Sequence, residues 1–357
     1  MQAAIAQIDE AKLEQVVGQA VTDAGAALNG VLMLIGAELG LWKALAGAGP
    51  LTADALARRS GVRVHYVHEW LAAQAASGHL VYDPAERTFT LPPEQAMVFA
   101  EEESPAYMLG GYHIISSAYK DRPRLEERLR SGEGFGWHEH DPELFAGTEQ
   151  FFRPGYRTHL VAEWIPALDG VQDKLRLGGK VADVGCGHGV SSILLAQAFP
   201  EATVCGFDYH AGSIERAREL ARAQGVDGNA RFKVASAKQF PGDEFDLVCF
   251  FDCLHDMGDP VGALGHAREA LAPDGTVMLV EPRAGDALSE NLNPVGRMFY
   301  GASTLFCTPC SLDQEVGLGL GAQAGERRLA EIAAEAGFSR FRRAAETPVN
   351  LVLEARP

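Results

Sequence analysis

The sequence predicts an α/β protein: a parallel sheet with helices on both faces, preceded by a mainly α-helical N-terminal part. Three observations predict it. From Lys180 onward, apolar runs of strand length alternate with helix-length segments. A glycine-rich turn separates the first of these runs from the first helix. Before about residue 170 the pattern is mostly helical and rich in Ala, Leu and Gly. At 357 residues, 47% apolar and 22% charged, the chain is long enough for two domains and a sizeable core. The texture divides it at 1–95, 96–170 and 171–357.

Taken in order, residues 9–48 read as helices. The run Leu28, Val31, Leu32, Leu34, Ile35, Leu39, Trp42 and Leu45 is apolar on more than one face, which predicts a buried helix. Thr52 caps the next helix and Ser60-Gly61 breaks it. A helix over about 64–77 follows, turning Val67, Trp70, Leu71 and Ala75 inward. Two short extended runs, His79–Tyr82 and Thr88–Leu91, then flank Asp83-Pro84-Ala85-Glu86. Helix, turn, helix and hairpin in this order is a winged-helix pattern. Its second helix offers only Arg63, His65 and His68, beside Glu69, where a DNA reader brings several Arg or Lys. A structural or dimerisation role is the better reading.

Residues 94–170 read as helix interrupted over Ser131–Trp137. The segment is dense in aromatic and histidine side chains, among them His138, His140, Phe152 and Tyr156. Two explanations stand together: ordinary helix packing, or the walls of a pocket for a flat apolar molecule. Beyond it, strands are expected at about 180–185, 203–208, 231–235, 245–251 and 275–281. Helices are expected near 190–199, 211–224, 260–271 and 325–336. The runs 338–345 and 348–355, joined at Thr347-Pro348, form a closing hairpin that adds an antiparallel strand to the sheet.

Charge and composition narrow the partners. With 31 basic against 48 acidic residues the net charge is −17, which argues against nucleic acid or an anionic membrane. No secretory leader is evident at the N-terminus, and the most apolar stretch, 24–37, is short for a membrane span. Six cysteines form no disulfide framework, so a reducing cytoplasm is expected. Cys307 and Cys310 form a CxxC without a second pair at zinc spacing, so no metal is expected.

The strongest local signal is Val181-Ala182-Asp183-Val184-Gly185-Cys186-Gly187-His188-Gly189. Glycines between a strand and a helix let the backbone turn sharply and approach a ligand. Asp183 precedes the first glycine by two residues, and Asp208 ends the next strand, 19 residues beyond Gly189. A carboxylate there can take both hydroxyls of a ribose. A dinucleotide site prefers G-x-G-x-x-G, whereas here the third glycine comes one position early. An acid at 183 suits a ligand carrying an amino group better than a pyrophosphate. The spacing favours an aminoacyl nucleoside over a nicotinamide cofactor.

On these residues, the stretch 180–281 resembles a class I S-adenosylmethionine-dependent methyltransferase, with its Rossmann-like sheet. The strings Gly206-Phe207-Asp208-Tyr209-His210, Phe251-Asp252-Cys253-Leu254-His255-Asp256-Met257-Gly258-Asp259-Pro260 and Asn291-Leu292-Asn293-Pro294-Val295-Gly296-Arg297 extend the likeness. The whole chain is similar to a bacterial group, best known from mycobacteria, that joins a winged-helix N-terminus to this domain. The resemblance implies methylation of a small molecule and a homodimer paired through the N-terminal domain. It implies that Gly185, Gly187 and Gly189 line the methionine part of S-adenosylmethionine, with Asp183 close by. Asp208 would hold the ribose, Tyr209 would lie against the adenine, and Phe251 completes the set. The family's usual acid near the adenine is absent; Ala235-Ser236-Ala237 stands there, leaving Ser236 or the backbone of Ala237.

His255, after the fourth strand, is the candidate base, with Asp256 or Asp252 to orient it; the alternative is that it only shapes the loop. His138 and His140 are weaker rivals. Arg297 and Tyr300, in a polar stretch between Glu281 and Gln323, are candidate substrate contacts, Arg297 as a buried guanidinium for a carboxylate. Oxygen is the expected acceptor, with nitrogen, sulfur or carbon as alternatives. An S-adenosylmethionine-sensing DNA-binding regulator is the reading from another class.

Overall fold

The helix, turn, helix and hairpin pattern forms as the sequence predicts in the computed structural model, which describes residues 8–357. Residues 1–7, the edge of the expected first domain, lie outside the described ones. Two compact units divide the chain, one ending at Ser116 and one spanning Ser117–Pro357.

The first unit opens with α1 (Glu10–Glu38) and α2 (Leu41–Leu45), followed by α3 (Ala53–Ser60) and α4 (Val64–Ala76). The hairpin strands β1 (Val81–Asp83) and β2 (Thr88–Thr90) pair antiparallel, and α5 (Pro93–Phe99) follows. The Thr52 hydroxyl accepts the Ala55 N–H at 3.2 Å, and Gly61 closes α3 at φ +73°. Leu56, Val67, Trp70 and Leu71 are buried with Trp42, whose ring meets Trp70 edge-on at 4.8 Å; Ala75 is half-buried.

One expectation fails in this unit. Leu41, Trp42 and Leu45 are buried, but Leu28 is 74% exposed and Val31 57%, with Ile35 and Leu39 also in solvent. Only Asn29, Met33 and Gly36 of α1 are buried. A Cβ on Gly36 would lie 2.5 Å from the Trp70 ring, so the helix seats on the tryptophans through a narrow strip of small residues. The remaining apolar side chains, including Leu13, Val16, Val17 and Val21, recur at helical spacing along the exposed face. At 29 residues α1 is, by length and composition, long and apolar enough to cross a membrane, which the expectation drawn on 24–37 alone did not foresee.

The chain continues through α6 (Leu109–Ser131), a loop with a short turn at Trp137–Glu139, and α7 (Glu143–His159). After a π-helical turn at Leu160–Trp164 come α8 (Ile165–Ala167) and α9 (Val171–Arg176). From here strands and helices alternate: β3 (Lys180–Val184), α10 (Val190–Ala198), β4 (Thr203–Asp208), α11 (Ala211–Ala223), β5 (Ala230–Val234) and β6 (Phe245–Phe251). Then α12 (Pro260–Ala270), β7 (Leu271–Pro282), α13 (Pro294–Ala302), α14 (Thr308–Asp313) and α15 (Gly325–Glu335) lead to β8 (Arg340–Glu346) and β9 (Asn350–Arg356).

The sheet order is β5-β4-β3-β6-β7-β9-β8. Pairs from β5 to β7 are parallel, and β9 joins β7 antiparallel, as the closing hairpin predicts. Central strands such as β3 and β6 are mostly apolar because both faces are covered, one by each of two buried clusters. The chain leaves β3 to one side for β4 and β5, then returns to the other side of β3 for β6. The carboxyl ends of β3 and β6 flank that reversal, where an open α/β sheet leaves a crevice.

Candidate active site

A cavity of about 370 Å³ opens at this edge of the sheet. Its floor is the turn after β3, the end of β4 with Asp208 and Tyr209, the residues Ala235, Ser236 and Ala237 after β5, and Phe251 and Asp252 at the end of β6. Trp137, His138 and Phe145 form one wall, and Phe152 and Tyr156 of α7 form another. The sequence-predicted residues Gly185, Gly187, Asp208, Tyr209, Ser236, Ala237, Phe251, Asp256, His138, Phe152 and Tyr156 are thus brought to one cavity.

The turn is built from backbone. Gly185, Gly187 and Gly189 have φ of +75°, +52° and +78°. A Cβ on Gly189 would lie 2.6 Å from the Phe232 ring, so this glycine is required by packing; it caps α10 and does not line the cavity. At Gly187 an added Cβ would meet nothing within 4 Å, which leaves the turn open on that side. The Gly187 N–H donates to Asp208 Oδ2 at 2.9 Å and the His210 N–H donates to Oδ1 at 2.8 Å. Burial raises the Asp208 carboxyl, and those two donors oppose the rise.

Asp183 sits behind the turn, fully buried and outside the cavity lining. Its Oδ2 accepts the hydroxyls of Ser191 and Ser192, each at 2.6 Å, which ties the strand to the first turn of α10. Its Oδ1 has no hydrogen-bond partner among the described residues. Burial pushes this carboxyl up to about 6 against the two serine donors.

After β6 the chemistry is carried by side chains. His255 is buried and does not line the cavity; Asp256 does. His255 Nδ1 lies 2.5 Å from Glu281 Oε2, and its Nε2 lies 3.2 Å from Asp256 Oδ1. Glu281 Oε1 also accepts the Leu254 N–H at 3.0 Å, so the acid at the end of β7 fixes both ring and loop. Burial disfavours the imidazolium, but Asp256 and Glu281 together hold the ring well above the usual histidine range. The orienting group on Nδ1 is therefore Glu281, the last residue of the strand expected at 275–281, to which the sequence assigned no role. Cys307 joins the group: ligand atoms of His255, Asp256 and Cys307 lie within 4.8 Å of one another, a spacing that could hold a metal ion. That cluster is not visible in the isolated CxxC.

Asp252 does not orient His255. It stands at φ +48°, where the Tyr156 hydroxyl donates to Oδ2 and the Asn350 amide to Oδ1, both at 2.8 Å. Asn350 comes from β9, some 98 residues away, and no local motif announces it. Burial, with the nearby charge of Glu281, pushes the Asp252 carboxyl up to about 8.

Other expectations are corrected. Arg297 is exposed, because α13 buries the face carrying Gly296 and Phe299, and it is absent from the cavity lining. Tyr300 is half-buried, its hydroxyl 3.5 Å from the Asn291 amide, and is likewise absent from the lining. His140 is a packing residue, bonded to Asp121 at 2.9 Å and edge-on to Phe135. The polar stretch after Glu281 contributes Cys310, Asp313 and Gln314 to the cavity; Gln314 also grips the loop by donating to the Asp256 carbonyl at 2.9 Å.

The donor set discriminates between cofactors. Among the described residues lining the cavity none is Lys or Arg, so it holds no ammonium or guanidinium for a diphosphate. A carboxylate clamped beside an open glycine turn fits a ribose.

Comparison with known proteins agrees. Residues 176–337 match a family model described as a methyltransferase domain, and residues 26–101 match an Rv2258c-like winged HTH domain. A 27-O-demethylrifamycin SV methyltransferase of Amycolatopsis mediterranei is 32% identical over 131 residues, 34% of this chain and 48% of that protein. A trans-aconitate 2-methyltransferase of Streptomyces coelicolor is 34% identical over 114 residues, 32% of this chain and 38% of that protein. The chain thus spans about half or less of these relatives. Among solved structures, the mitomycin 7-O-methyltransferase MmcR superposes with a TM-score of 0.68 at 21% identity, covering 98% of this chain and 99% of that one. PigF with SAH gives 0.72 at 17% identity, covering 95% and 98%. At such identities the likeness is one of fold, and it extends along nearly the whole chain. Residues 176–337 are thus similar to a methyltransferase domain, and residues 26–101 to a winged helix-turn-helix domain.

Proposed function

We propose that this protein transfers the methyl group of S-adenosylmethionine to a small molecule, with oxygen as the acceptor atom. The observation that carries this reading is the Asp208 carboxylate, clamped by the Gly187 N–H at the cavity floor where the turn leaves open space. In this reading Asp208 takes the ribose hydroxyls, Gly185 and Gly187 pass the methionine part, and Asp183 lies toward its amino group. Tyr209, Ser236 and the Ala237 backbone face the adenine, with Phe251 below. The cofactor supplies an already electrophilic methyl group, so the protein's task is alignment and exclusion of water.

His255 and Asp256 form the proton-accepting couple. Asp256 meets the cavity, His255 stands behind it, and Glu281 holds the ring. The two titrate as a unit, and only the form that has lost one proton can receive the acceptor's. Phe152, Tyr156 and His138 enclose the acceptor. The aromatic segment 96–170 is thus read as pocket wall and 171–357 as the cofactor domain.

The chain is further read as a cytoplasmic homodimer. Its six cysteines are free, and the exposed apolar face of α1 suits a second copy. Light scattering giving twice 38.3 kDa, lost when Leu28 and Val31 become Glu, would support the dimer; a monomeric parent would refute it.

Transfer of label from methyl-labelled S-adenosylmethionine into a fractionated small-molecule extract, read by mass spectrometry, tests the reaction. A labelled product establishes the class and the acceptor atom. Binding of S-adenosylhomocysteine without any labelled product would favour a sensing role over catalysis.

A further inference from the structure

The cavity is lined by the acids Glu149, Asp208, Asp252, Asp256 and Asp313 and by no Lys or Arg among the described residues. Most of these charges are answered within the protein. Glu149 has His188 at 2.8 Å and Arg153 at 3.5 Å, Asp256 has His255, and Asp208 has its two backbone donors. Asp313 is exposed at the rim. Asp252 differs: it is buried, faces the cavity, and is held only by the uncharged Tyr156 hydroxyl and Asn350 amide. A buried carboxyl whose bonded partners are all neutral is costly to ionise, and a ligand cation removes that cost.

The surroundings of Asp252 specify the rest of the ligand. The Phe152 and Tyr156 rings stack at 5.9 Å with a 13° interplanar angle, and Phe251 lies 5.3 Å from Tyr156. Planar apolar walls beside one carboxyl group suit an aromatic ring carrying a basic substituent. Resting on the methyltransferase reading, we propose that the acceptor is a flat aromatic molecule bearing a protonated amine that seats on Asp252. Acceptors bearing a carboxylate, sulfate or phosphate are disfavoured in the same cavity, because its described lining offers them no Lys or Arg.

The proton balance gives the interaction a signature. Tyr156 from α7, Glu281 from β7 and His255 from the adjoining turn are the titratable groups facing Asp252, and Asn350 from β9 is neutral. With its carboxyl raised to about 8, Asp252 carries a proton near neutrality. Seating an ammonium favours the ionised carboxylate, so that proton passes to solvent. Amine affinity therefore rises as pH is raised from 6 toward 8.

Calorimetry on protein saturated with S-adenosylhomocysteine tests the assignment, using 4-hydroxybenzylamine, 4-hydroxybenzyl alcohol and 4-hydroxybenzoate as cationic, neutral and anionic probes of one shape. The amine is expected to bind at least about 10-fold tighter than the benzoate, with proton release visible as a buffer-dependent enthalpy. Asp252→Asn is expected to weaken the amine about 10-fold and the alcohol less than about 2-fold. Benzoate binding as tightly as the amine, or none of the probes binding, would each overturn the proposal. So would an Asp252→Asn variant that loses affinity for S-adenosylhomocysteine instead, since Asp252 would then belong to the cofactor. Parent protein that does not bind S-adenosylhomocysteine at all would refute the methyltransferase reading itself, a separate failure.

Discussion

The turn after β3 and the turn after β6 lie side by side at one sheet edge and reach their shapes by different means. The first carries its glycines at positive φ and offers the cavity mainly backbone, with Asp208 held by a main-chain N–H. The second gathers Asp252, His255 and Asp256 against Glu281 from β7, Asn350 from β9 and Tyr156 from α7. A backbone-built turn depends on residues that lie next to one another in sequence. A side-chain-built one depends on partners that only the fold brings together. The first kind suits a part of the site that must hold one fixed ligand, the second a part that must be tuned to a particular acceptor and proton.

The largest effect is expected at the heart of the second turn. His255→Gln keeps a donor for Glu281 but removes the proton-accepting ring. Turnover should fall by about 10²-fold or more, while affinity for S-adenosylhomocysteine stays within about 2-fold. Parental turnover in that variant would reduce His255 to a structural residue and erase the functional side of the contrast. The first turn should fail differently. Gly189→Ala sets a Cβ against the Phe232 ring at a φ of +78°, which costs about 2–4 kcal/mol from overpacking and backbone strain. Chemical denaturation checks it; a loss below about 1 kcal/mol would mean that the turn is not held by its backbone shape.

Asp208→Ala comes next. Removing a carboxylate proposed to bond the ribose should weaken S-adenosylhomocysteine by about 10- to 100-fold in calorimetry. Unchanged binding would take Asp208 out of the site and with it the observation on which the proposed function rests.

The same contrast explains what could be read from the sequence. The turn itself was legible because a connection between a strand and a helix is local, although Asp183 and Gly189 pack behind it and do not line the cavity; the strand positions were legible too, since buried parallel strands are mostly apolar runs. The hairpin that ends the sheet was legible for the same reason. Glu281 as the partner of His255, and Asn350 as the partner of Asp252, were not, because 26 and 98 residues separate the pairs. Arg297 was misjudged because helical position alone does not say which face a helix buries. The burial expected of α1 failed similarly: apolar periodicity marks a face that avoids water, and does not say whether this chain or another molecule covers it.

The smallest effect separates the two turns by pH. Asp252 has its carboxyl raised to about 8 in the fold, above the ordinary value of 3.8. Between those values the folded state holds a proton that the unfolded chain has released. Its contribution to stability is complete below about pH 4 and is lost as pH rises through about 8. His255, also raised, gives a slope of the same sign above its ordinary value, so the difference between parent and variant is what isolates Asp252. Asp252→Asn cannot ionise and should lose less stability than the parent between pH 6 and 9. The gap should be about 1–2 kcal/mol. Parallel melting curves for the two proteins across that range would mean that Asp252 is already ionised in the fold. The second turn would then hold a permanent negative charge, and the amine proposed to seat there would bind without releasing a proton.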